Sequence, residues 1–325
     1  MGLLSTVAKG VARRVAGFAG GALLSKIIYQ QILIQRKNAT EILVEIERAK
    51  LRPGLACLVF SKDRPLQLFT LLHTYFENVK NPAPLTVIYD TSNQDYENAY
   101  LEIAEYFLDK SVRVAFVKEV GSFRETLNQE LDKIEVHALF FLVDDILFIR
   151  PVDLSVVNEL DPQTAVLSLR HSPQLRWSYT SKATLVPPRF SNSPVSPELL
   201  SFKWFEREYE WSDPWSVDGQ VLSTAEVRVL TRISDFKAPN SYEVALKAFN
   251  DIAANRIGVC FRESKILNLP INRVQNEIPN LSGSISCAYL LEQWNLGMMI
   301  DTQMFADYSP ISPHEEHVIE LKRRP

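Results

Sequence analysis

The sequence predicts an α/β protein in which helices cover both faces of a mainly parallel sheet. Short, almost continuously apolar segments of strand length alternate with segments whose apolar residues recur every three or four positions. Strands that are buried on both faces have this composition, because neither face meets water. At 325 residues and 46% hydrophobic content, the chain is also long enough to bury a sizeable core.

The elements alternate regularly in the first half. Pro65 suits the first turn of the helix after the first strand, where its missing N–H is no loss. Strands are predicted at 55–61, 85–90, 112–117 and 137–143. Helices are predicted from Pro65 through Phe76, from Tyr100 to Leu108, over 123–134, from Ser241 to Gly258, and up to Gly297.

Charged residues follow three of these strands. Ligands of such sheets bind beyond the carboxyl ends of the strands. Residues 61–64 (SKDR), Asp90, and the neighbouring Asp144 and Asp145 all occupy these ends. The aspartate doublet interrupts the apolar run LFFLVDDILFI, and an unpaired buried carboxylate costs several kcal/mol. We therefore expect a solvated strand terminus, neutralisation by cationic side chains, or a bound metal ion.

Composition and motifs exclude several classes. No G-x-G-x-x-G follows a strand, and the P-loop and G-x-S-x-G patterns are absent, which disfavours dinucleotide-binding proteins, P-loop NTPases and α/β-hydrolases. A net charge of −4 gives no reason to expect a nucleic-acid partner. Three widely spaced cysteines indicate neither a disulfide framework nor a zinc ribbon, so a reducing cytoplasmic setting is expected. Carboxylates at strand ends suit a divalent cation, which in turn suits a diphosphate substrate.

The amino-terminal segment differs from the rest. Residues 1–40 contain six basic side chains and no acid. Its longest uncharged run, Val15 to Ser25, is eleven residues, shorter than the roughly 20 needed to cross a bilayer. We therefore predict a basic amphipathic helix over about residues 1–50 that makes peripheral contact with a membrane face. A helix packed on the protein itself, or a frayed tail, remains the alternative; MGLLST also matches the loose myristoylation pattern.

Two sequence segments carry a family resemblance. FSKDRPLQL ends the first strand, and FLVDDI ends the fourth strand about 83 residues later. Over about residues 53–160 this resembles nucleotide-sugar-dependent glycosyltransferases of the GT-A fold. The resemblance implies a GT-A-like, Rossmann-like sheet with an aromatic-rich acceptor subdomain. It also implies that the nucleotide is contacted by Ser61, Asp63, Arg64 and Asp90.

The doublet departs from the D-x-D motif of that family. The matching triplet is Val143-Asp144-Asp145, which lacks the first aspartate. Successive strand side chains point to opposite faces, so both aspartates cannot chelate one ion without a local turn. The resemblance implies that Asp145 binds Mn²⁺ or Mg²⁺ and that Asp144 contacts ribose or sugar, or accepts backbone N–H groups.

Three of the first-half residues also have structural interpretations. Asp63 suits the cap of the helix that begins near Pro65. Arg64 suits an ion pair with a surface acid. Asp90 suits the opening of the turn DTSN, for which aspartate is a common choice.

Aromatic residues concentrate in the second half, where four of the five tryptophans lie between 177 and 215. Trp215 is a candidate for stacking against a sugar ring, and an ordinary aromatic cluster is the alternative. Asp218, in SVDG, is the candidate catalytic base, with Asp213 as the next choice and a turn-forming role as the alternative.

Two later positions complete the predicted site. Arg273 could meet a diphosphate, or form a structural ion pair. The family often completes its metal site with a late histidine or aspartate, which points to His317 or His314; a solvated tail is the alternative, because the segment is polar.

Together these observations predict four regions: the helical segment 1–50, a nucleotide-sugar-binding half 51–160, an acceptor-binding half 161–310 and a tail 311–325. The expected activity moves a sugar from a nucleoside diphosphate sugar to a hydroxyl-bearing glycan or glycolipid, in surface polysaccharide or glycolipid synthesis. A nucleotidyltransferase is the first alternative, although it typically has a Gly-rich loop after its first strand. The second is a non-catalytic, membrane-attached binding module, which the incomplete D-x-D motif favours.

Overall fold

A mixed sheet forms the centre of the protein. The computed structural model describes residues 21–108, 113–274 and 281–325. The helices are α1 (Gly21–Arg48), α2 (Pro65–Asn78), α3 (Gln94–Tyr106), α4 (Phe123–Asp132), α5 (Thr224–Ile233), α6 (Pro239–Lys247), α7 (Asn250–Ala253) and α8 (Cys287–Asn295). Short 3-10 helices cover Leu154–Glu159, Tyr209–Ser212 and Gln303–Phe305.

The strands are β1 (Arg52–Lys62), β2 (Val79–Lys80), β3 (Leu85–Asp90), β4 (Val114–Lys118), β5 (Val136–Val143), β6 (Ile146–Phe148), β7 (Val152–Asp153), β8 (Ala165–Ser168), β9 (Trp177–Ser178), β10 (Ala183–Thr184), β11 (Ser191–Asn192), β12 (Leu199–Lys203), β13 (Gln220–Ser223), β14 (Ile257–Phe261), β15 (Ile266–Asn268), β16 (Met298–Ile300) and β17 (Leu321–Arg323).

Nine of these strands form the central sheet, in the order β11-β12-β14-β8-β13-β5-β1-β3-β4. The pairings of β1 with β3 and β5, of β3 with β4 and of β8 with β14 are parallel. Strands β12 and β13 run against their neighbours, so the other seven share one direction. This arrangement confirms the predicted α/β class with a mainly parallel sheet. Both predicted halves, 51–160 and 161–310, contribute strands to it.

Both faces of the sheet are buried, as the continuous apolar strands predict. In β1, Cys57 and Val59 belong to one hydrophobic core, and Leu58 and Phe60 belong to the other. Helices α2, α3 and α8 supply the first core, whereas α4, α5 and α6 supply the second. Successive side chains of a strand alternate between faces, which explains why an unbroken apolar run serves two cores.

Local capping explains where several helices begin. The side chains of Asn93, Ser122 and Ser223 accept backbone N–H groups in the first turns of α3, α4 and α5. Pro65 is the first residue of α2, as predicted. The helix predicted from Ser241 to Gly258 is instead divided: α6 begins at Pro239, and α7 is a separate single turn. Gly258 lies within β14 and does not end a helix.

The amino-terminal helix packs on the protein at its carboxyl end. Val44 contacts Ala225 and Val229 of α5, and the Glu47 carboxylate pairs with Arg228 at 3.2 Å. The same helix also exposes five apolar side chains: Leu33, Ile34, Ile42, Leu43 and Ile46. Residues 1–20, on which much of the amphipathic prediction rests, lie outside the described residues. In the part that is described, no helix is long and apolar enough to cross a membrane.

Candidate active site

A cleft of about 660 Å³ opens where the carboxyl ends of β1, β3 and β5 meet. The parallel register places Lys62 beside Asp90, so residues 28 positions apart reach the same edge. Of the ten predicted site residues, seven line the cleft: Ser61, Arg64, Asp90, Asp144, Asp145, Asp218 and Arg273. Except for Asp63, the charged residues that the strand-end rule selected after β1, β3 and β5 therefore line one cleft.

The aspartate doublet lies in a turn between β5 and β6. Because the strand is interrupted there, both side chains can turn toward the same group. That group is the guanidinium of Arg64, whose Nη1 lies 2.8 Å from Asp144 Oδ1 and 3.1 Å from Asp145 Oδ2. Of the three outcomes that the sequence allows for these buried carboxylates, the structure shows neutralisation by a cationic side chain.

The other oxygens of the doublet also accept hydrogen bonds. Asp144 Oδ2 accepts from Ser61 Oγ at 2.8 Å and from the Lys62 backbone N–H at 3.2 Å. Asp145 Oδ1 accepts from the side-chain amide of Asn268 at 2.9 Å. All four carboxylate oxygens are thus supplied by the protein, as buried carboxylates require.

The doublet is electrostatically coupled to the rest of the cleft. Burial raises the pKa of Asp145 to about 6, and the charges of Asp144 and Asp218 add to this rise, while Arg64 and His314 oppose it. For Arg64, burial lowers the pKa, but the charges of Asp144 and Asp145 more than offset this effect and raise it. The guanidinium therefore stays charged, whereas Asp145 titrates close to neutral pH.

The described residues do not fit the predicted divalent cation. The carboxylate oxygens of the doublet already have protein donors, and no three His, Cys, Asp or Glu side chains within residues 21–108, 113–274 and 281–325 are grouped as a metal site. The predicted ligand His317 does not line the cleft. Its ring hydrogen-bonds Glu315 at 3.2 Å and packs against Phe305 and Tyr308. None of these contacts involves another predicted site residue.

Asp218 reaches the same cleft through the antiparallel strand. Because β13 runs against β5, its amino end lies at the carboxyl end of β5, and Asp218 comes just before that strand. Asp218 Oδ2 accepts from Arg170 Nη1 at 3.2 Å and lies 3.0 Å from His314 Nε2. Burial alone would raise the pKa of Asp218, but the hydrogen bond with His314 and the charges of His314 and Arg170 lower it below its ordinary value.

Gly219 shapes the turn that presents Asp218. Its φ of +78° is a left-handed conformation that glycine adopts readily. A Cβ atom built there would lie 2.4 Å from Ile266 Cδ1 and 3.3 Å from Leu169 Cβ. The backbone N–H of Gly219 also donates to the Phe141 carbonyl at 2.8 Å. The glycine in SVDG is thus required by both backbone conformation and close packing.

The carboxyl-terminal segment places His314 at the site. The Asn268 N–H donates to the Pro313 carbonyl at 3.0 Å, and the Glu315 N–H donates to the Asn268 carbonyl at 3.1 Å, forming a short bridge around His314. Farther along, β17 pairs with β16. The sequence allowed a metal ligand or a solvated tail here; the structure places the His314 ring in the cleft lining, beside Asp218. Its Nδ1 atom is buried without a hydrogen-bond partner.

Asp63 makes a structural contact that the sequence did not predict. It does not line the cleft, and its side chain does not cap α2. Its φ is +52°, and its carboxylate accepts from the Ser92 backbone N–H at 2.7 Å and from the Ser92 hydroxyl. Asp63 thus connects the end of β1 to the loop after β3.

Asp90 and Arg273 are two of the predicted residues that line the cleft. Asp90 pairs with Lys62 at 2.5 Å, and Arg273 is exposed at the edge of the cleft.

Trp215 is a core residue, which corrects the prediction that it stacks on a sugar. It is 0% exposed, its indole N–H donates to the Phe249 carbonyl, and Arg256 lies over its ring. Periodicity could not reveal this, because the surrounding segment is irregular. Of the aromatic side chains that line the cleft, Tyr179 and Tyr209 come from the second half of the chain, and Phe60, Tyr89 and Phe123 come from the first.

Sequence reasoning also missed Arg170 and Asn268. Arg170 follows β8, and Asn268 is the last residue of β15; both line the cleft. The strand-end rule that located Asp90 would have found Arg170, had it been extended to the second half of the chain.

A second charged cluster surrounds Arg170. Asp213 Oδ2 lies 3.5 Å from Arg170 Nη2 and 2.9 Å from Lys247 Nζ, and Glu243 lies 3.8 Å from Lys247. Burial and the charge of Glu243 raise the pKa of Asp213 to about 6, against the opposing effect of Lys247 and Arg170. The cleft therefore contains two carboxyl groups, Asp145 and Asp213, whose charge changes near pH 6.

Comparison with known proteins supports one interpretation of this cleft. The chain is 25% identical over 184 residues to a bifunctional glycosyltransferase, pgtA, of Dictyostelium discoideum, which covers 50% of this chain and 23% of that protein. The match confirms the predicted resemblance to glycosyltransferases, although the chain spans less than a quarter of that relative's length. No family model matches.

Two solved structures are similar at a lower level. Residues 1–349 of Staphylococcus aureus TarS superpose with a TM-score of 0.41 and 12% identity, covering 66% of this chain and 59% of that one. The 4-diphosphocytidyl-2C-methyl-D-erythritol synthase of Anaerococcus prevotii gives a TM-score of 0.38 and 11% identity, covering 75% and 96%. Likenesses of this size do not distinguish between functions.

Proposed function

We propose that the protein transfers a sugar from a nucleoside diphosphate sugar to a hydroxyl group of a glycan or glycolipid. The position of Asp218 is the observation on which this proposal depends. Arg170 and His314 hold Asp218 in the same cleft that is lined by the strand ends of the predicted nucleotide-binding half. The sequence similarity to a glycosyltransferase supports it independently.

In this proposal the donor occupies the side of the cleft formed by β1, β3 and β5. Asp90 lies at the end of β3 beside Lys62, where a ribose or base would meet carboxylate and ammonium groups. Ser61 and Asp144 are already bonded to each other and shape this wall. Exposed basic side chains at the cleft, Lys62, Lys237 and Arg273, would stabilise the diphosphate as it departs.

Asp218 is the proposed general base. Both contacts described above hold its Oδ2, so we assign Oδ1 to the acceptor hydroxyl. The lowered pKa keeps the carboxylate ionised at neutral pH, in the form that can accept a proton. The acceptor oxygen bonds the anomeric carbon as its proton passes to Asp218, and the bond to the diphosphate breaks with its electron pair leaving on the diphosphate.

The acceptor would enter from the second half of the chain. Tyr179 and Tyr209 line that side of the cleft and offer apolar ring surface to a sugar. The exposed apolar residues of α1 and the six basic side chains among residues 1–40 support peripheral contact with the cytoplasmic face of a membrane, where a glycolipid or surface-polysaccharide acceptor resides.

The test is a donor panel. The full chain is incubated with UDP-, GDP- and CDP-sugars, and release of nucleoside diphosphate is followed by chromatography. We expect one nucleotide class to bind and to be hydrolysed slowly; at 100 times its dissociation constant it should stabilise the fold by about 2.7 kcal/mol in a thermal-shift assay.

Absence of binding to every donor would refute the proposal. Binding without turnover, unchanged in Asp218→Asn, would favour the non-catalytic module instead. Release of pyrophosphate from a nucleoside triphosphate and a sugar phosphate would identify a nucleotidyltransferase.

A further inference from the structure

We propose that Arg64 is the built-in cation of the aspartate doublet, and that the protein therefore binds its nucleotide without a divalent metal ion. The nucleotide part of this inference rests on the proposed function. The metal part rests on the geometry of the doublet alone. It departs from the expectation that the D-x-D resemblance created, namely that Asp145 holds Mn²⁺ or Mg²⁺.

The carboxylate oxygens of the doublet are already occupied by protein donors. Arg64 Nη1 lies between Asp144 Oδ1 and Asp145 Oδ2, at 2.8 and 3.1 Å, where a chelated ion would have to lie. The remaining oxygen of each carboxylate accepts from a fixed donor, Ser61 Oγ or the Asn268 amide. Mg²⁺ demands near-octahedral oxygen coordination at about 2.0–2.1 Å, so it would have to displace these donors.

Arg64 is itself held in place by further hydrogen bonds. Its Nη2 donates to the Asn272 carbonyl, and its backbone N–H donates to the Tyr100 hydroxyl at 3.2 Å. The residue is 9% exposed and immediately precedes α2. Moving the guanidinium aside would leave a buried positive charge and two buried carboxylates unpaired, which is strongly unfavourable.

In the described part of the chain, the doublet lacks the additional side-chain ligands of a protein metal site. Within the described ranges, no further His, Cys, Asp or Glu completes a group of three around the doublet. His314, which the sequence also suggested as a metal ligand, is hydrogen-bonded to Asp218. A guanidinium supplies the positive charge without needing such a ligand set, and it remains charged at every physiological pH.

The experiment uses Mn²⁺ alone and then UDP. Binding of Mn²⁺ to the full-length protein is followed by the loss of the free-ion signal in electron paramagnetic resonance. UDP affinity is measured by calorimetry in Mn²⁺ and in EDTA. We expect no stoichiometric Mn²⁺ uptake by the wild type. We also expect its UDP affinity in Mn²⁺ and in EDTA to differ by less than about twofold. A loss of tenfold or more in EDTA, about 1.4 kcal/mol, would overturn the inference.

The decisive variant is Arg64→Met, which leaves the oxygens facing the guanidinium without a donor. We expect this variant to take up Mn²⁺ weakly but measurably, because the two oxygens that faced the guanidinium can then bind a cation whose remaining ligands are water molecules. Arg256→Met is the matched control: Arg256 is equally buried and pairs with Glu226 away from the cleft, so its removal should create no Mn²⁺ binding.

Arg64→Lys covers the case in which Arg64→Met does not fold, which circular dichroism would show. Lysine keeps the charge, so this variant should still exclude Mn²⁺. Stoichiometric Mn²⁺ binding by the wild type or Arg64→Lys, or a folded Arg64→Met that excludes Mn²⁺, would contradict the inference. If no nucleotide binds at all, the proposed function fails, while the Mn²⁺ titration still decides the role of Arg64.

Discussion

The aspartate doublet and the Asp218 cluster lie in the same cleft but are built differently. The doublet accepts a hydrogen bond on every carboxylate oxygen and pairs with Arg64, so it is an internally balanced unit. Asp218 is held through Oδ2 alone, by Arg170 and His314. A carboxylate whose oxygens all accept hydrogen bonds from the protein is held in one position, whereas one that is anchored through a single oxygen can present the other oxygen to an acceptor hydroxyl. This difference is why we propose Asp218, and not the doublet, as the general base.

The largest expected effect follows from replacing the proposed base. Asp218→Asn keeps the shape of the side chain but cannot take the acceptor proton, so we expect kcat for sugar transfer to fall by about 10²–10⁴-fold with little change in donor affinity. The measurement is a steady-state assay beside donor calorimetry. Asp235→Asn, an exposed residue outside the cleft lining, is the control. Activity within about threefold of wild type would remove Asp218 from the mechanism.

Among the substitutions considered, one in the aspartate doublet should reduce the free energy of unfolding most. Asp144→Ala leaves Arg64 buried with one carboxylate partner fewer and removes the acceptor of Ser61, so we expect a loss of about 3–5 kcal/mol in the free energy of unfolding. Asp90→Ala is the control, because its ion pair with Lys62 is partly exposed and is worth about 0–1 kcal/mol. Urea denaturation measures both. Equal losses in the two variants would contradict the comparison.

The two late histidines provide a matched pair. His314 contacts Asp218, whereas His317 contacts Glu315. We expect His314→Ala to lower kcat about 10–100-fold, since the base loses its positioning partner, and His317→Ala to change it less than twofold. Because His314 lowers the pKa of Asp218, the acid limb of the pH profile should move to higher pH in His314→Ala. A profile that stays in place would show a structural role only.

A smaller effect concerns Asp213, whose folded-state pKa of about 6 exceeds the ordinary 3.8. The protonated form is favoured in the folded protein, so its stabilising contribution is present below pH 3.8 and is lost as pH rises through about 6. Asp213→Asn removes this titration. Relative to wild type, its free energy of unfolding should therefore increase by about 2–3 kcal/mol between pH 4 and pH 7.

Denaturation series at the two pH values check this prediction. Asp251→Asn, an exposed residue, should show no such pH-dependent difference. A difference for Asp213→Asn that is the same at both pH values would mean that burial does not perturb this carboxyl group.

Much of the fold and half of the site follow from local patterns. The four first-half strands were located within a few residues, because an unbroken apolar run followed by a polar break is visible in the sequence itself. Asp90 and Asp144 reach the cleft for the same reason: they end parallel neighbouring strands. Where the backbone is irregular, as around Trp215, the sequence contains no periodicity from which burial could be inferred.

The sequence by itself determined the alternation of strands and helices, the sheet edge at which the charged strand-end residues meet, and the presence of an unusual pair of acids there. Only the tertiary structure decided that Arg64 neutralises that pair, that Trp215 is buried, and that His314 meets Asp218. The spacing of apolar residues predicts which side chains of a helix or strand are buried in the core. Contacts between residues 80 to 100 positions apart depend on strand order and direction, above all on the antiparallel strand that follows Asp218, which no local pattern encodes.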